Sequence, residues 1–101
     1  MSQFITPTQN VNSPTAGTGA TALASNTNRQ WWQIQNQGVA PIYIALGTGA
    51  TSIPGGYHFA IAGGATAGDG TGGMIGPMGA VVYTGPITVA GASPRYSVLE
   101  H

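Results

Sequence analysis

The segment WWQIQNQGVAPIYIALG, residues 31–47, holds both tryptophans of the chain and its densest run of β-branched and aromatic residues. On each side of a central turn, apolar residues alternate with polar or small ones, which is the period of strands that bury one face. The apolar positions of the two strands are Trp32, Ile34, Ile42, Ile44 and Leu46. Between them, Asn36-Gln37-Gly38 suits a three-residue hairpin loop with glycine in the left-handed conformation. We therefore predict a β-hairpin around which the rest of the chain packs.

The composition limits the chain to one small domain without long helices. Its 101 residues include 17 glycines and 7 prolines. In a helix interior, glycine costs about 1 kcal/mol and proline about 3 kcal/mol. Bulky apolar residues are few and nearly all follow Gln30. A core drawn from about 70 residues is marginal without disulfides, a metal or oligomerisation. Because the chain has no cysteine, we expect it to oligomerise.

The chain carries very little charge. Its charged residues are Arg29, Asp69, Arg95 and Glu100, and lysine is absent. A typical soluble domain has about 25% charged residues, and a neutral monomer tends to associate. We infer that other protein covers much of this surface. The same scarcity argues against nucleic-acid binding, which depends on clustered lysine and arginine.

Membrane and export signals are also missing from the sequence. No apolar run approaches the roughly 20 residues of a membrane span. The N-terminus lacks the basic start and apolar stretch of a signal peptide. We therefore expect neither a membrane segment nor a leader.

The first 29 residues differ in composition from the rest. Residues 1–29 are polar and of low complexity, so we place an extended N-terminal arm at 1–29 and a β-domain at 30–101. Such an arm cannot bury enough apolar surface by itself to offset its ordering entropy. Two interpretations remain. It is either a disordered tail or an arm that lies over a neighbouring subunit, anchored by Phe4 and Ile5.

Alternation and Gly/Pro turns predict the remaining strands. They fall at residues 57–62, 80–84, 87–89 and 95–100, with a glycine-rich loop at 63–80 that holds short extended pieces at most. Short strands about ten residues apart are typical of all-β folds. We predict a small antiparallel β-sandwich or a jelly-roll-like barrel with an extended N-terminal arm.

One loop formally fits a nucleotide-binding motif. Residues 68–73 match G-x-G-x-x-G, but that motif works only where a helix begins at it, and Gly76 and Pro77 follow here. We interpret the stretch as a flexible loop and its Asp69 as a solvated turn residue. No cofactor is expected.

The other reactive side chains are equally isolated. Glu100 is expected to form an ion pair with Arg29 or Arg95. His58 has too few potential partners for a triad or a metal site, so we expect it to face solvent or a subunit contact. General acid–base catalysis needs titratable groups that meet, and the chain offers no such pair. We predict a protein that is not an enzyme, with no catalytic residue and no metal.

Large apolar residues outside the predicted core are candidates for an interface. Trp31 and Trp32 are adjacent, so in a strand they face opposite sides, one toward the core and the other toward a partner or a second layer. Methionines in the glycine-rich loop either plug gaps or adapt to a partner surface. Large aromatic residues are enriched at binding hot spots. The candidate interface residues are Phe4, Ile5, Trp31, Met74 and Met78.

Several short motifs resemble those of the small virion proteins of tailed bacteriophages. They are Asn28-Arg29, Ile34-Gln35-Asn36-Gln37-Gly38, Pro41-Ile42-Tyr43-Ile44, Tyr83-Thr84-Gly85 and Tyr96-Ser97-Val98 with Glu100. The resemblance implies a capsid decoration (cement) protein, or another small head or tail component. Decoration proteins of this kind are commonly trimers that clamp neighbouring capsomers, so the implied partners are the major capsid protein and further copies of this chain. The loop at 63–79 is longer than in the forms that the resemblance suggests.

Three functional hypotheses follow. The first is a decoration protein on the capsid surface of a virion. The second is a structural component of a phage tail, neck or fibre. The third is a carbohydrate-binding module in which Trp31, Tyr43 or Tyr57 forms a stacking platform.

Overall fold

A computed structural model describes residues 10–12, 20–76, 82–91 and 94–100. Within these ranges the chain forms eight β-strands and no helix. The strands are β1 (Asn10–Asn12), β2 (Ala20–Leu23), β3 (Trp32–Asn36), β4 (Ile42–Leu46), β5 (Phe59–Ile61), β6 (Met74–Ile75), β7 (Ile87–Ala90) and β8 (Tyr96–Glu100).

The strands form two antiparallel sheets of four. Sheet A has the order β1-β8-β3-β6, and sheet B has the order β2-β7-β4-β5. Apart from β4 and β5, consecutive strands lie in opposite sheets. Eight strands in two sheets with this order form a jelly roll. The predicted all-β fold is confirmed, and the strand order identifies the jelly-roll form.

The predicted hairpin between β3 and β4 is wrong. Both strands exist, but β3 belongs to sheet A and β4 to sheet B, so residues 37–41 cross between the sheets. The buried side chain of Asn36 explains the crossing, because its amide donates to Ala40 O at 2.9 Å and to Ile61 O at 3.1 Å. Its Oδ1 accepts from Gly38 N at 2.8 Å. Asn36 thereby gives hydrogen-bond partners to backbone groups that, in a hairpin, would bond to the neighbouring strand. Gly38 does not adopt the predicted left-handed conformation.

The core lies between the sheets and is built from the inward positions of the central strands. In β3, buried and partly buried residues alternate, and Trp32 is only 2% exposed. One of the two adjacent tryptophans is therefore in the core, as predicted. Burying a large apolar side chain stabilises a fold by about 1.5–3 kcal/mol. Among the described residues, the largest apolar side chains that are fully buried are Ile34, Ile42, Ile44, Ile87, Val89, Tyr96 and Val98.

Most of the other predicted strands are confirmed. β5, β7 and β8 fall in the segments predicted from alternation, and β6 is the short extended piece expected in the glycine-rich loop. The exception is the segment 80–84. Its residues 82–84 form no strand, and 80–81 lie outside the described residues. The carbonyls of Tyr83 and Thr84 bond to Arg29 and to Asn26 N instead of to a neighbouring strand.

Two pieces of the predicted arm belong to the sheets. β1 pairs antiparallel with β8, and β2 pairs antiparallel with β7. The register places Asn10 opposite Val98 and Ala20 opposite Val89. The N-terminal segment thus adds one edge strand to each sheet.

Candidate interaction surfaces

The outer side of sheet A carries a row of uncharged side chains. Gln33 and Gln35 alternate with the inward residues of β3 and therefore lie on the outer side. In register across β8, Leu99 lies opposite Gln33, and Ser97 lies opposite Gln35. We call the following set the neutral face: Trp31, Gln33, Gln35, Gln37, Met74, Ser97 and Leu99.

Hydrogen bonds connect the amides of the neutral face. Gln37 Nε2 donates to Gln35 Oε1 at 3.0 Å and to Ser97 Oγ at 3.3 Å. Gln33 Nε2 lies 3.2 Å from Met74 Sδ. Because these side chains are already held in place, less conformational entropy is lost when a partner binds.

The structure describes two of the five predicted interface residues. Met74 is 55% exposed and is the register partner of Gln35. Trp31 is partly buried and directly precedes β3. Since the neighbouring Trp32 points inward, Trp31 belongs to the outer side of the sheet. Both residues therefore lie on the neutral face. The other three, Phe4, Ile5 and Met78, lie outside the described residues.

The glycine-rich loop closes over one end of the neutral face. Gly68 N donates to Gln37 O at 2.7 Å, and Gln35 Nε2 donates to Gly72 O at 3.2 Å. A Cβ added at Gly72 would overlap the backbone oxygen of Asn36. The loop can approach β3 this closely because glycine stands at that position.

Two of the charged residues neutralise each other inside the molecule. The Arg29 side chain is fully buried, and its Nε donates to Glu100 Oε1 at 2.9 Å. Its terminal nitrogens donate to Tyr83 O and Gly85 O, both at 2.9 Å, and to Ala24 O at 2.6 Å. This confirms the predicted ion pair, with Arg29 as the cation. The pair also joins the end of β8 to the two segments that lead into β3 and β7.

The remaining charged side chains, Arg95 and Asp69, are exposed, and Arg95 borders the Gln37 end of the neutral face, where Gln37 N donates to Arg95 O at 2.8 Å. Asp69 Oδ1 accepts from Thr71 Oγ1 at 2.7 Å and from Thr71 N at 2.9 Å, and Oδ2 accepts from Thr66 N at 2.9 Å. The hydrogen bonds from Thr71, the hydroxyl first, hold the pKa of the Asp69 carboxyl below its ordinary value. Asp69 is thus the exposed turn residue that the sequence predicts.

An open cleft lies between the end of β4 and the loop that leads to β5. Its volume is about 310 Å³. Its lining contains no lysine, arginine, aspartate or glutamate and consists of Ala45, Leu46, Gly47, Thr48, Gly49, Gly55, Gly56, Tyr57 and His58. His58 is exposed, as predicted, and its Nδ1 accepts from Leu46 N at 2.9 Å.

The three aromatic residues considered for a stacking platform are divided between the sheets. The rings of Tyr43 and Tyr57 lie 4.8 Å apart between centroids, with a tilt of 52°. Tyr43 belongs to β4 of sheet B, and Tyr57 lines the cleft. Trp31 lies beside β3 of sheet A. A platform at the cleft would therefore involve the two tyrosines and not the tryptophan.

Other kinds of site are not found in the described ranges. They contain no group of three or more His, Cys, Asp or Glu side chains placed to hold a metal ion. No helix there is long and apolar enough to cross a membrane. Comparison of the chain with protein-family models, curated proteins and solved structures found no match. Function must therefore be argued from the surfaces themselves.

Sequence reasoning named Trp31 and Met74 but missed the glutamines of the neutral face. The signal was present, because the alternation that turns Trp32 inward also turns Gln33 and Gln35 outward. The contact between His58 and Leu46 had no comparable signal. It depends on how a loop of twelve residues folds back, which alternation does not specify.

Proposed function

We propose that this chain is a non-enzymatic structural protein of a phage virion, a decoration (cement) protein bound to the outer surface of the head. The motifs between residues 28 and 100 that resemble small virion proteins support this assignment. The jelly roll agrees with it, since viral capsid and lectin domains use that fold, although a fold alone does not define a function. We infer that the protein acts as a homotrimer and that its partner is the major capsid protein.

The neutral face is the observation that carries the proposal. Arg29 and Glu100 satisfy each other inside the molecule, and no member of the neutral face is charged. Such a surface binds through apolar packing and amide hydrogen bonds, each contributing about 0.5–1.5 kcal/mol. Away from its Gln37 end, where the exposed Arg95 borders it, the face has no ionic group with which to steer a partner by charge. These properties suit lasting attachment to a closely fitting, equally neutral surface.

The first test is the salt dependence of capsid attachment. Contacts between neutral groups are not screened by ions, so attachment measured by co-sedimentation should change little between low and high salt. A steep loss of attachment at moderate salt would mean that charged groups hold the protein, which would overturn the proposed mode of binding. The capsid should also lose stability when the protein is stripped from it; unchanged capsid stability would remove the cementing role.

The second test places a charge on the neutral face. Gln33→Glu introduces a carboxylate that must be desolvated when the face is covered, and we expect capsid affinity to fall at least tenfold, about 1.4 kcal/mol. Thr21→Glu is the matched control, because Thr21 is exposed on β2 of the other sheet. If both variants bind equally well, the neutral face is not the attachment surface.

Copy number separates the head from the tail. A decoration protein occupies the shell in large numbers, whereas a tail or neck ring contains few subunits. Quantitative mass spectrometry of particles, together with native mass spectrometry of the isolated protein, measures both the copy number and the oligomeric state. Ring-like copy numbers would replace the proposal with a tail or neck role, and a stable monomer would contradict the proposed trimer.

A further inference from the structure

The cleft beside sheet B is a preformed site, separate from the neutral face. Two hydrogen bonds to one buried side chain hold the loop that lines it: Thr88 Oγ1 donates to Gly47 O at 2.9 Å and accepts from Ala50 N at 3.1 Å. The same loop is closed on itself by bonds from Thr51 N to Gly56 O and from Gly56 N to Ile53 O, both at 2.8 Å. A ligand entering the cleft therefore meets walls that need little further ordering.

One hydrogen-bond donor is oriented in the cleft. The His58 backbone N donates to Ile44 O at 2.7 Å, and its ring Nδ1 accepts from Leu46 N at 2.9 Å. A neutral imidazole whose Nδ1 accepts a hydrogen bond carries its proton on Nε2. Since the side chain is exposed, Nε2–H is a fixed donor available to a ligand.

An aromatic residue lines the same cleft. Tyr57 precedes His58 and lines the cleft, and the Tyr43 ring packs against it at a centroid distance of 4.8 Å. This contact limits the orientations open to the Tyr57 ring. The hydroxyl groups of Tyr57 and Thr48 add groups that both donate and accept hydrogen bonds.

We propose that this cleft binds a neutral pyranose, such as the exposed end of a glycan. A pyranose combines an apolar C–H face, which packs on an aromatic ring, with hydroxyls that bond to neutral donors and acceptors. Those are the two chemistries that Tyr57 and His58 place side by side. No lysine or arginine lines the cleft, so a phosphate or carboxylate would find no permanent counterion.

The size of the cleft limits both the number of sugar rings that fit and the affinity that we expect. A volume of about 310 Å³ lies at the lower end of the roughly 300–1,000 Å³ range of small-ligand sites, which suits one sugar ring. The cleft is also open to solvent. We therefore expect dissociation constants on the order of 1 mM for a single ring. Several copies on one particle would raise the avidity for a surface that displays many sugars. This inference does not rest on the proposed virion function.

The test is an NMR titration of the full chain with free methyl pyranosides. The probes are the methyl glycosides of glucose, galactose, mannose and N-acetylglucosamine, with glucuronic acid and glucose 6-phosphate as charged counterparts. We expect at least one neutral probe to shift the amide signals of Thr48, Gly49, Gly56 and His58, and the charged probes to bind at least fivefold more weakly. No shift with any neutral probe, shifts located elsewhere, or tighter binding of the charged probes would overturn the proposal.

Matched variants test whether the sugar binds in the cleft. Thr48→Trp fills the cleft with a bulky ring from an exposed position, and Thr66→Trp makes the same change at an exposed position of the glycine-rich loop, which contacts sheet A through the bond from Gly68 N to Gln37 O. We expect the first to abolish the shifts and the second to leave them unchanged. Tyr57→Ala should weaken binding at least fivefold, with the amide spectrum reporting that the fold is kept. Wild-type binding by Thr48→Trp or by a folded Tyr57→Ala protein would contradict the assigned site.

Discussion

Replacement of Arg29 by methionine tests whether its buried network holds the end of the jelly roll together. Arg29→Met keeps most of the aliphatic volume and removes every donor. The carbonyl oxygens of Ala24, Tyr83 and Gly85 and the carboxylate of Glu100 all lose their guanidinium partner. Asn26 keeps part of the connection between these segments, because its Nδ2 donates to Glu100 Oε1 at 3.4 Å and its backbone N donates to Thr84 O at 2.8 Å.

The expected cost can be worked out from these contacts. A buried acceptor left without a partner costs about 1–3 kcal/mol, and removal of one member of a buried ion pair costs about 3–5 kcal/mol. The Glu100 side chain is 20% exposed, Ala24 is exposed, and Tyr83 and Gly85 are partly buried. All four acceptors can therefore regain some water, which keeps the total toward the ion-pair figure. We expect a loss of about 3–5 kcal/mol, against a total of roughly 5–15 kcal/mol for a typical domain.

Urea unfolding followed by tryptophan fluorescence measures this loss, since Trp32 is buried in the core. Arg95→Met is the matched control, because Arg95 is exposed, and its free energy of unfolding should stay within about 0.5 kcal/mol of wild type. Arg29→Lys should fall between wild type and Arg29→Met, because one ammonium cannot reach four acceptors. A loss below about 1 kcal/mol in Arg29→Met would refute the reasoning, since it lies under the cost of a single buried acceptor.

Three further predictions concern the loops at the opposite end. Asn36→Ala removes the amide that satisfies the crossing between sheets and should lower the free energy of unfolding by about 2–4 kcal/mol in urea; an unchanged midpoint would contradict its role. Gly72→Ala forces the loop away from the Asn36 carbonyl and should lower the free energy of unfolding by about 1–3 kcal/mol. Gly38→Ala is the control, because its added Cβ would meet its nearest atom at 3.5 Å. Thermal unfolding should place the stability of that control within about 0.5 kcal/mol of wild type. Because the pKa of Asp69 is lower in the folded than in the unfolded state, its bonds to Thr71 stabilise the fold at pH values above the unfolded-state pKa. This stabilisation is lost as the pH falls through the folded-state pKa. A carboxyl titration by NMR should give an Asp69 pKa below 3.8, and Asp69→Asn should remove the accompanying change at the Thr71 amide; titration at or above 3.8 would contradict this account.

The strands were predictable where burial alternates. Trp32 and Ile34 in β3, like Tyr96 and Val98 in β8, repeat every second residue, and their inward orientation follows from that period. The partner of each strand was not predictable. A short connection that contains asparagine and glycine suits a hairpin and a crossing between sheets equally well. Only the hydrogen bond from Asn36 to the distant carbonyl of Ile61 shows that this connection is a crossing.

Some features of the surface could be predicted from the sequence, and others could not. The ion pair could be foreseen because Glu100 had just two candidate cations. The neutral face follows from Gln33 and Gln35 once the inward residues are known. The cleft could not be foreseen, because it depends on Thr88 fixing a loop forty residues earlier in the chain. Long-range contacts of this kind leave no local pattern.

The pairing of β1 with β8 has a consequence for synthesis. Asn10 leaves the ribosome well before its register partner Val98, which lies 88 residues later in the chain. Likewise, β2 cannot pair until β7 has been synthesised. Each sheet therefore lacks an inner strand, β8 or β7, until late in synthesis, and pairing over such separations is slow. Nascent chains stalled before Tyr96 should be cut readily by proteases, and protection should come in one step once β8 has left the ribosome.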